Sequence, residues 1–117
     1  MTGTDDLGAV LTRLYATIES RRGGDPDASY TAKLLADGPA RCAKKLGEEG
    51  VEAALAGAAN DAPALAAEAA DVLYHLLVLM VSVGVAPGDV AVALAAREGT
   101  SGHAEKASRA RDQKKDP

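Results

Sequence analysis

Apolar side chains in this chain recur at the spacing of α-helices, and breaks rich in Gly, Pro, Asn and Asp separate the helical segments. Leu7, Leu11, Leu14 and Ile18 follow steps of four, three and four, so they fall on one face of a helix. No stretch shows the two-residue period of a β-strand. The predicted helices cover residues 5–21, 30–37, 40–59, 63–83 and 87–98. The sequence therefore predicts an all-α antiparallel bundle of four to five helices.

The ends of these helices have recognisable signals. Ser29 and Asp61 are expected to cap the second and fourth helices, and Pro87 is expected to open the last one. The fourth helix is nearly apolar all round beyond Val72, which predicts that it is the most buried element. We expect residues 1–98 to form a single domain and the charged residues 99–117 to form a mobile C-terminal segment.

The core of such a bundle has to be built from small side chains. The chain contains no Trp, no Phe and three Tyr, so Leu, Val and Ala supply most of the apolar surface. A chain of 117 residues with such a core gives thin apolar cover to each helix. We therefore expect it to form a homodimer, which would bury more apolar surface.

Two acidic pairs share one spacing on the two central predicted helices. Glu49 and Glu52 are three residues apart, and so are Glu68 and Asp71. Residues at this spacing share a helix face. The turn at residues 59–63 joins the two helices, and both pairs are about two turns from it, so they are expected to meet at the same height. Carboxylates brought together in this way repel each other unless a cation lies between them.

An all-oxygen carboxylate set suits Mg²⁺ or Mn²⁺, which also keep positions for water and for substrate phosphates. Zinc is a poor fit, because Cys42 has no second thiol and neither histidine has a ligand pattern. A site of this kind can polarise a phosphoryl group and deliver a water nucleophile. The pattern therefore predicts hydrolysis of a pyrophosphate bond. The competing interpretation is that these acids form an ordinary solvated helix face.

Charge and cysteine content limit the kinds of partner and of cellular compartment that we expect for this protein. The net charge is −4, yet residues 97–117 carry six Lys or Arg against four Asp or Glu. An acidic body argues against nucleic-acid binding, whereas a basic segment beside an acidic site fits a small polyphosphate substrate. The single cysteine fits a reducing compartment, and residues 1–8 do not resemble a signal peptide. The uninterrupted apolar run from Leu76 is short, so we expect a cytoplasmic protein that does not associate with membranes.

The motif Glu-Glu-x-x-Glu at Glu48, followed by Glu-x-x-Asp at Glu68, resembles the all-α nucleoside triphosphate pyrophosphatases, known by their MazG members. Ser-Tyr-Thr-Ala-Lys-Leu from Ser29, Tyr-His-Leu from Tyr74 and the ending at residues 101–109 resemble one family, the phosphoribosyl-ATP pyrophosphatases of histidine biosynthesis. The resemblance covers residues 5–110. It implies Mg²⁺-dependent hydrolysis of phosphoribosyl-ATP to phosphoribosyl-AMP and pyrophosphate, the second step of the pathway, in a cytoplasmic dimer.

The resemblance also implies roles for individual residues. Glu48 is implied to ligate a second metal ion or to act as the base that orients water. The implied metal ligands are Glu49, Glu52, Glu68 and Asp71. The candidates for phosphate contacts are Lys33, Lys45, Lys106 and Arg109. Lys45 is equally well placed to form an ion pair with Glu49. His75 is expected to be a packed core histidine, and Cys42 is expected to pack in the core.

Two other functions remain open at this point. One keeps the chemistry and changes the substrate, giving a housekeeping pyrophosphatase of the MazG type that acts on non-standard or surplus nucleotides. The other is a non-catalytic helical dimer or partner-binding bundle, in which the acids hold a structural cation or solvate a groove. The second gives no reason for two matched acidic pairs at equal distance from one turn.

Overall fold

The computed structural model describes residues 6–99 together with residues 102, 106, 109 and 110. The described part contains five α-helices and no β-strand, which confirms the predicted all-α class. The helices are α1 (Leu7–Ser20), α2 (Tyr30–Asp37), α3 (Pro39–Ala58), α4 (Ala62–Val83) and α5 (Pro87–Ala95). The chain divides into two compact units, residues 1–86 and residues 87–117.

Side chains cap three of these helices at their amino ends. Asp6, Ser29 and Asp61 each accept a hydrogen bond from the backbone N–H three residues later, as Ser29 and Asp61 were expected to do. Gly84 ends α4 with φ of 82°, a left-handed conformation that a residue with a Cβ rarely adopts. These local signals explain why the observed helix bounds lie close to the predicted ones.

The core of the first unit lies around the C-terminal half of α4. This helix contributes His75, Leu77, Val78, Met80 and Val81 to the buried residues, which confirms that it is the most buried element. It packs against α1, α2 and α3. The other buried residues are Ile18, Ala32, Leu34 and Cys42. The Cys42 thiol donates a hydrogen bond to the Leu34 carbonyl oxygen at 3.3 Å, so this cysteine packs in the core as expected.

Only part of helix α1 packs against that core. Ile18 is buried, and Leu11 and Leu14 pack against the buried residues, but Leu7 and Val10 are exposed. The predicted apolar face is therefore real, but only its C-terminal two-thirds contacts α4. The Tyr15 hydroxyl donates a hydrogen bond to the Val85 carbonyl oxygen at 2.8 Å, which attaches the C-terminal part of α1 to the residues that follow α4.

Helix α4 is also long and apolar enough to cross a membrane by length and composition alone, with a mean hydropathy of 1.7 over its most apolar window. The uninterrupted apolar run from Leu76 is short, but the alanines before it raise the mean hydropathy of the longer window. Core helices of soluble proteins pass the same criterion. The two acids on α4 and its packing against three other helices favour a core helix.

The second unit contains α5, which has no buried residue, and Val92 and Leu94 on it are exposed. Most of residues 100–117 lie outside the described part of the chain. The predicted domain boundary at residue 98 and the predicted mobility of the segment beyond it therefore stay predictions.

Candidate metal centre

The candidate centre lies between α3 and α4, which form a hairpin of two packed helices. Asn60, with φ of 59°, and the capping residue Asp61 make the turn between them. Because the connection is so short, residues at similar distances from it face each other across the hairpin. Glu52 on α3 and Glu68 on α4 are at equal distances from the turn, as the sequence predicted, and Glu49 lies about one turn further along α3.

Three carboxylates meet at this place, and we call them the acidic cluster: Glu49, Glu68 and Asp71. One ligand oxygen from each lies within 4.8 Å of the other two. Glu49 and Glu68 are half-buried, whereas Asp71 is exposed. The Oε2 atom of Glu68 is buried and has no hydrogen-bond partner. A buried carboxylate oxygen without a donor is costly, so this atom is well placed to receive a cation.

The electrostatics of the cluster agree with this geometry. Partial burial raises the pKa of Glu49, and the neighbouring carboxylates of Glu52, Asp71 and Glu68 raise it further. Partial burial also raises the pKa of Glu68, and Glu52 and Asp71 add to the effect. Both shifts mean that the ionised form is disfavoured in the absence of a counter-charge. A divalent cation in the cluster would remove this penalty.

Glu52 lies beside the acidic cluster without completing it. It is exposed, and its oxygens are not among those that meet within 4.8 Å. Its influence on the pKa of both Glu49 and Glu68 nevertheless shows that its charge is close to them. The structure thus brings together three of the four implied ligands and leaves the fourth at the edge.

Glu48 is exposed and forms an ion pair with Lys45, whose Nζ is 3.3 Å from the Glu48 Oε1 atom. The partner of Lys45 is therefore Glu48 and not Glu49. The lining of an open pocket of about 450 Å³ consists of Lys45, Glu48, Glu49, Val51 and Glu52. A pocket that holds one cation and several carboxylates beside the cluster is suited to a metal-bound polyphosphate.

The remaining phosphate candidates are Lys33, Lys106 and Arg109. Lys33 lies on α2 and forms an ion pair with Asp37, with 3.5 Å between Nζ and Oδ2. Lys106 and Arg109 are exposed and belong to the second unit. Their roles therefore stay predictions.

His75 is a neighbour of the cluster that the sequence argument treated only as a packing residue. It is buried, as expected, but its Nε2 atom is 4.0 Å from the Glu49 Oε1 atom. Burial lowers the pKa of His75, and the nearby Lys45 charge lowers it further, against the opposing effects of Asp71 and Glu48. The sequence contained one signal that His75 lies near the cluster, which is its position four residues after Asp71. Residues at that spacing share one face of α4.

Helix α2 holds this part of α4 in place. The Tyr30 ring meets the His75 ring edge-on with 6.2 Å between centroids, and the Thr31 and Tyr74 hydroxyls form a short hydrogen bond. The Ser-Tyr-Thr and Tyr-His stretches that carried the resemblance therefore contact each other in the fold. Nothing in the spacing of the sequence predicted that contact.

Comparison with known proteins identifies the same group. A family profile described as phosphoribosyl-ATP pyrophosphohydrolase matches residues 11–98. A phosphoribosyl-ATP pyrophosphatase of Caulobacter vibrioides is 65% identical over 104 residues, 89% of this chain and 96% of that protein. One of Cereibacter sphaeroides is 59% identical over 100 residues, covering 86% of this chain and 97% of the relative. One of Dinoroseobacter shibae is 56% identical over 101 residues, with coverage of 86% and 99%.

The matched residues include the whole acidic cluster, all of α2, α3 and α4, and most of α1. The relatives also match the chain over nearly their full length. These findings confirm the resemblance drawn from the motifs. The chain belongs to the phosphoribosyl-ATP pyrophosphohydrolase family.

Proposed function

We propose that the acidic cluster binds Mg²⁺ and that phosphoribosyl-ATP is hydrolysed beside it. The enzyme is a phosphoribosyl-ATP diphosphatase of histidine biosynthesis, which converts phosphoribosyl-ATP and water to phosphoribosyl-AMP and pyrophosphate. The observation that carries the placement of this reaction is the meeting of three carboxylate oxygens within 4.8 Å. The unpartnered Glu68 Oε2 atom in their midst supports it.

The donor set fits a hard divalent cation. Glu49, Glu68 and Asp71 offer only oxygen, which suits Mg²⁺ and its common substitute Mn²⁺. Glu52 is the fourth proposed ligand, and its influence on the pKa of both Glu49 and Glu68 supports this role. When bound, the cation would neutralise phosphate oxygens and favour ionisation of a bound water.

The residues in the pocket supply positioning and proton transfer. Glu48 is the proposed base that orients the attacking water, and it forms an ion pair with Lys45 in the pocket. Lys45 is the proposed contact to the pyrophosphate portion of the substrate. To make this contact it would break its ion pair with Glu48. Water attacks phosphorus at the α–β anhydride, the bond to the bridging oxygen breaks, and pyrophosphate leaves. Lys33, Lys106 and Arg109 are proposed as further phosphate contacts.

A homodimer is the proposed assembly. Val51 and Leu55 on α3 are 61% and 65% exposed, and Leu65 on α4 is 40% exposed. Val51 and Leu55 are four residues apart and share one face of α3, and exposed apolar side chains that lie together are typical of an interaction surface. A second copy of the chain is the proposed occupant, because the small side chains of the core leave each helix thinly covered. Sedimentation of Leu55→Glu as a monomer, against a dimeric parent, would support this. We also propose a cytoplasmic location, where the single cysteine stays reduced.

The test of the metal centre is the rate of pyrophosphate release from phosphoribosyl-ATP in Mg²⁺. We expect the double variant Glu49→Gln with Asp71→Asn to lose turnover while its circular dichroism spectrum is retained. Glu19→Gln, which removes an exposed carboxylate on α1, is the matched control and should turn over normally. Unchanged turnover in the double variant would favour the non-catalytic interpretation of the acids. Release from dUTP or dCTP, but not from phosphoribosyl-ATP, would favour the housekeeping activity.

A further inference from the structure

His75 is a polar side chain in an apolar position. It is 6% exposed, and Leu77, Val78 and Met80 continue the buried surface of α4 beyond it. A buried imidazole loses its hydration, so it stabilises a fold only if it gains a hydrogen bond in return. An apolar ring would satisfy packing alone at this position without that cost. The presence of histidine therefore needs a polar explanation.

The ring of His75 has a fixed orientation. Tyr74 meets it edge-on with 4.9 Å between centroids, and Tyr30 meets it edge-on from α2 at 6.2 Å. Two aromatic contacts at interplanar angles of 76° and 88° leave little freedom to rotate. The direction in which its Nε2 atom points is therefore set by packing and not by chance.

That direction leads to Glu49. The His75 Nε2 atom and the Glu49 Oε1 atom are 4.0 Å apart, beyond hydrogen-bond distance but within the reach of a small carboxylate rotation. The Nδ1 atom is buried without a hydrogen-bond partner. A proton on Nδ1 would leave a buried N–H without an acceptor and would turn a lone pair toward the carboxylate. The neutral ring therefore carries its proton on Nε2, where it can be donated to Glu49.

From this arrangement we infer that His75 is a positioning residue for the metal, which donates an Nε2–H hydrogen bond to Glu49 when that carboxylate turns to bind the cation. One carboxylate oxygen then accepts from His75 and the other faces the cluster, so the ligand is held in one orientation. Groups that orient a metal ligand in this way commonly contribute about 10- to 100-fold to metal affinity. The inference rests on the proposed metal site.

The test is Mn²⁺ binding to the protein without substrate, measured from the electron paramagnetic resonance signal of free Mn²⁺. We expect His75→Phe, which keeps a ring and removes the donor, to raise the Kd for Mn²⁺ about tenfold or more. His75→Leu is a second variant without a donor, in case the larger ring disturbs the fold. His75→Gln places an amide N–H near the Nε2 position, and we expect it to restore the Kd to within about threefold of the parent.

Tyr74→Phe is the matched control. It removes the hydroxyl that bonds Thr31 and keeps the ring beside His75, so we expect lower thermal stability with an unchanged Kd for Mn²⁺. A folded His75→Phe or His75→Leu variant with the parent's Kd would overturn the inference. So would a His75→Gln variant as weak as His75→Phe, because that result would make the imidazole itself the ligand. Failure of the parent to bind Mn²⁺ would overturn the metal site and the inference together. Loss of binding in Glu49→Gln, together with the parent's Kd in both His75→Phe and His75→Leu, would overturn only the role of His75 and would leave the metal site in place.

Discussion

Replacing Glu68 by Gln should raise stability in the absence of a divalent cation and should reduce the stabilisation that the cation provides. Gln has nearly the shape of Glu but no charge. In the metal-free protein the Glu68 carboxylate is half-buried beside Glu49 and Asp71, its Oε2 atom has no partner, and its pKa is raised. Removing this charge relieves repulsion, and the amide can donate to a neighbouring carboxylate. We therefore expect the metal-free variant to melt at a higher temperature than the parent.

Mn²⁺ should stabilise the parent more than the variant. Free Mn²⁺ at about 100 times its Kd stabilises the parent by about 2.7 kcal/mol. For a chain of 117 residues this corresponds to a rise in Tm of roughly 10 °C. If the loss of one ligand weakens binding about tenfold, the same Mn²⁺ concentration stabilises the variant by only about 1.4 kcal/mol, or roughly half the rise in Tm.

The assay is thermal unfolding followed by circular dichroism, with and without Mn²⁺, on the parent and on Glu68→Gln. Glu19→Gln on α1 serves again as the control and should match the parent in both conditions. A variant that is less stable than the parent without metal, and that gains as much from Mn²⁺, would refute the argument. In that case Glu68 would stabilise the fold by its own contacts and would not bind the cation.

Three further outcomes follow from the described contacts. A carboxylate with a raised pKa in the folded state favours folding at low pH and loses that contribution as pH rises through the raised value. The metal-free difference in Tm between Glu68→Gln and the parent should therefore shrink as pH falls from neutral into the range where Glu68 becomes protonated. Asp61→Ala should lower the stability of α4 by about 1 kcal/mol in chemical unfolding, whereas Asp61→Ser, which keeps the cap, should lose much less. Lys45→Met should raise KM for phosphoribosyl-ATP more than Lys33→Met does, because only Lys45 lines the pocket beside the cluster, and equal effects would contradict the proposed contact.

Local signals in the sequence were sufficient to predict the helices. The prediction for α2 matched its bounds, and the other four were close to theirs, because Ser29, Asp61, Gly84 and Pro87 act on the backbone next to them. The meeting of Glu49 with Glu68 was predictable for a similar reason. A short turn between two regular helices fixes which residues face each other, and the sequence shows the length of that turn.

Contacts between distant parts of the chain were not predictable in the same way. The pairing of Lys45 with Glu48, and not Glu49, depends on which carboxylate of α3 lies against α4 when the helices pack. The position of His75 against Glu49 depends on how α2 packs Tyr30 and Thr31 onto α4. Both are consequences of side-chain packing between helices, and helical periodicity carries no information about them.

The central claim is that Glu49, Glu68 and Asp71 hold the metal ion of the reaction. Crystals of the protein grown with Mn²⁺ test it most directly, through an anomalous difference map recorded near the manganese edge. The account predicts a peak between α3 and α4, about 2.2 Å from an oxygen of each of the three carboxylates. A peak elsewhere on the chain, or a cluster that stays empty at saturating Mn²⁺, would contradict it.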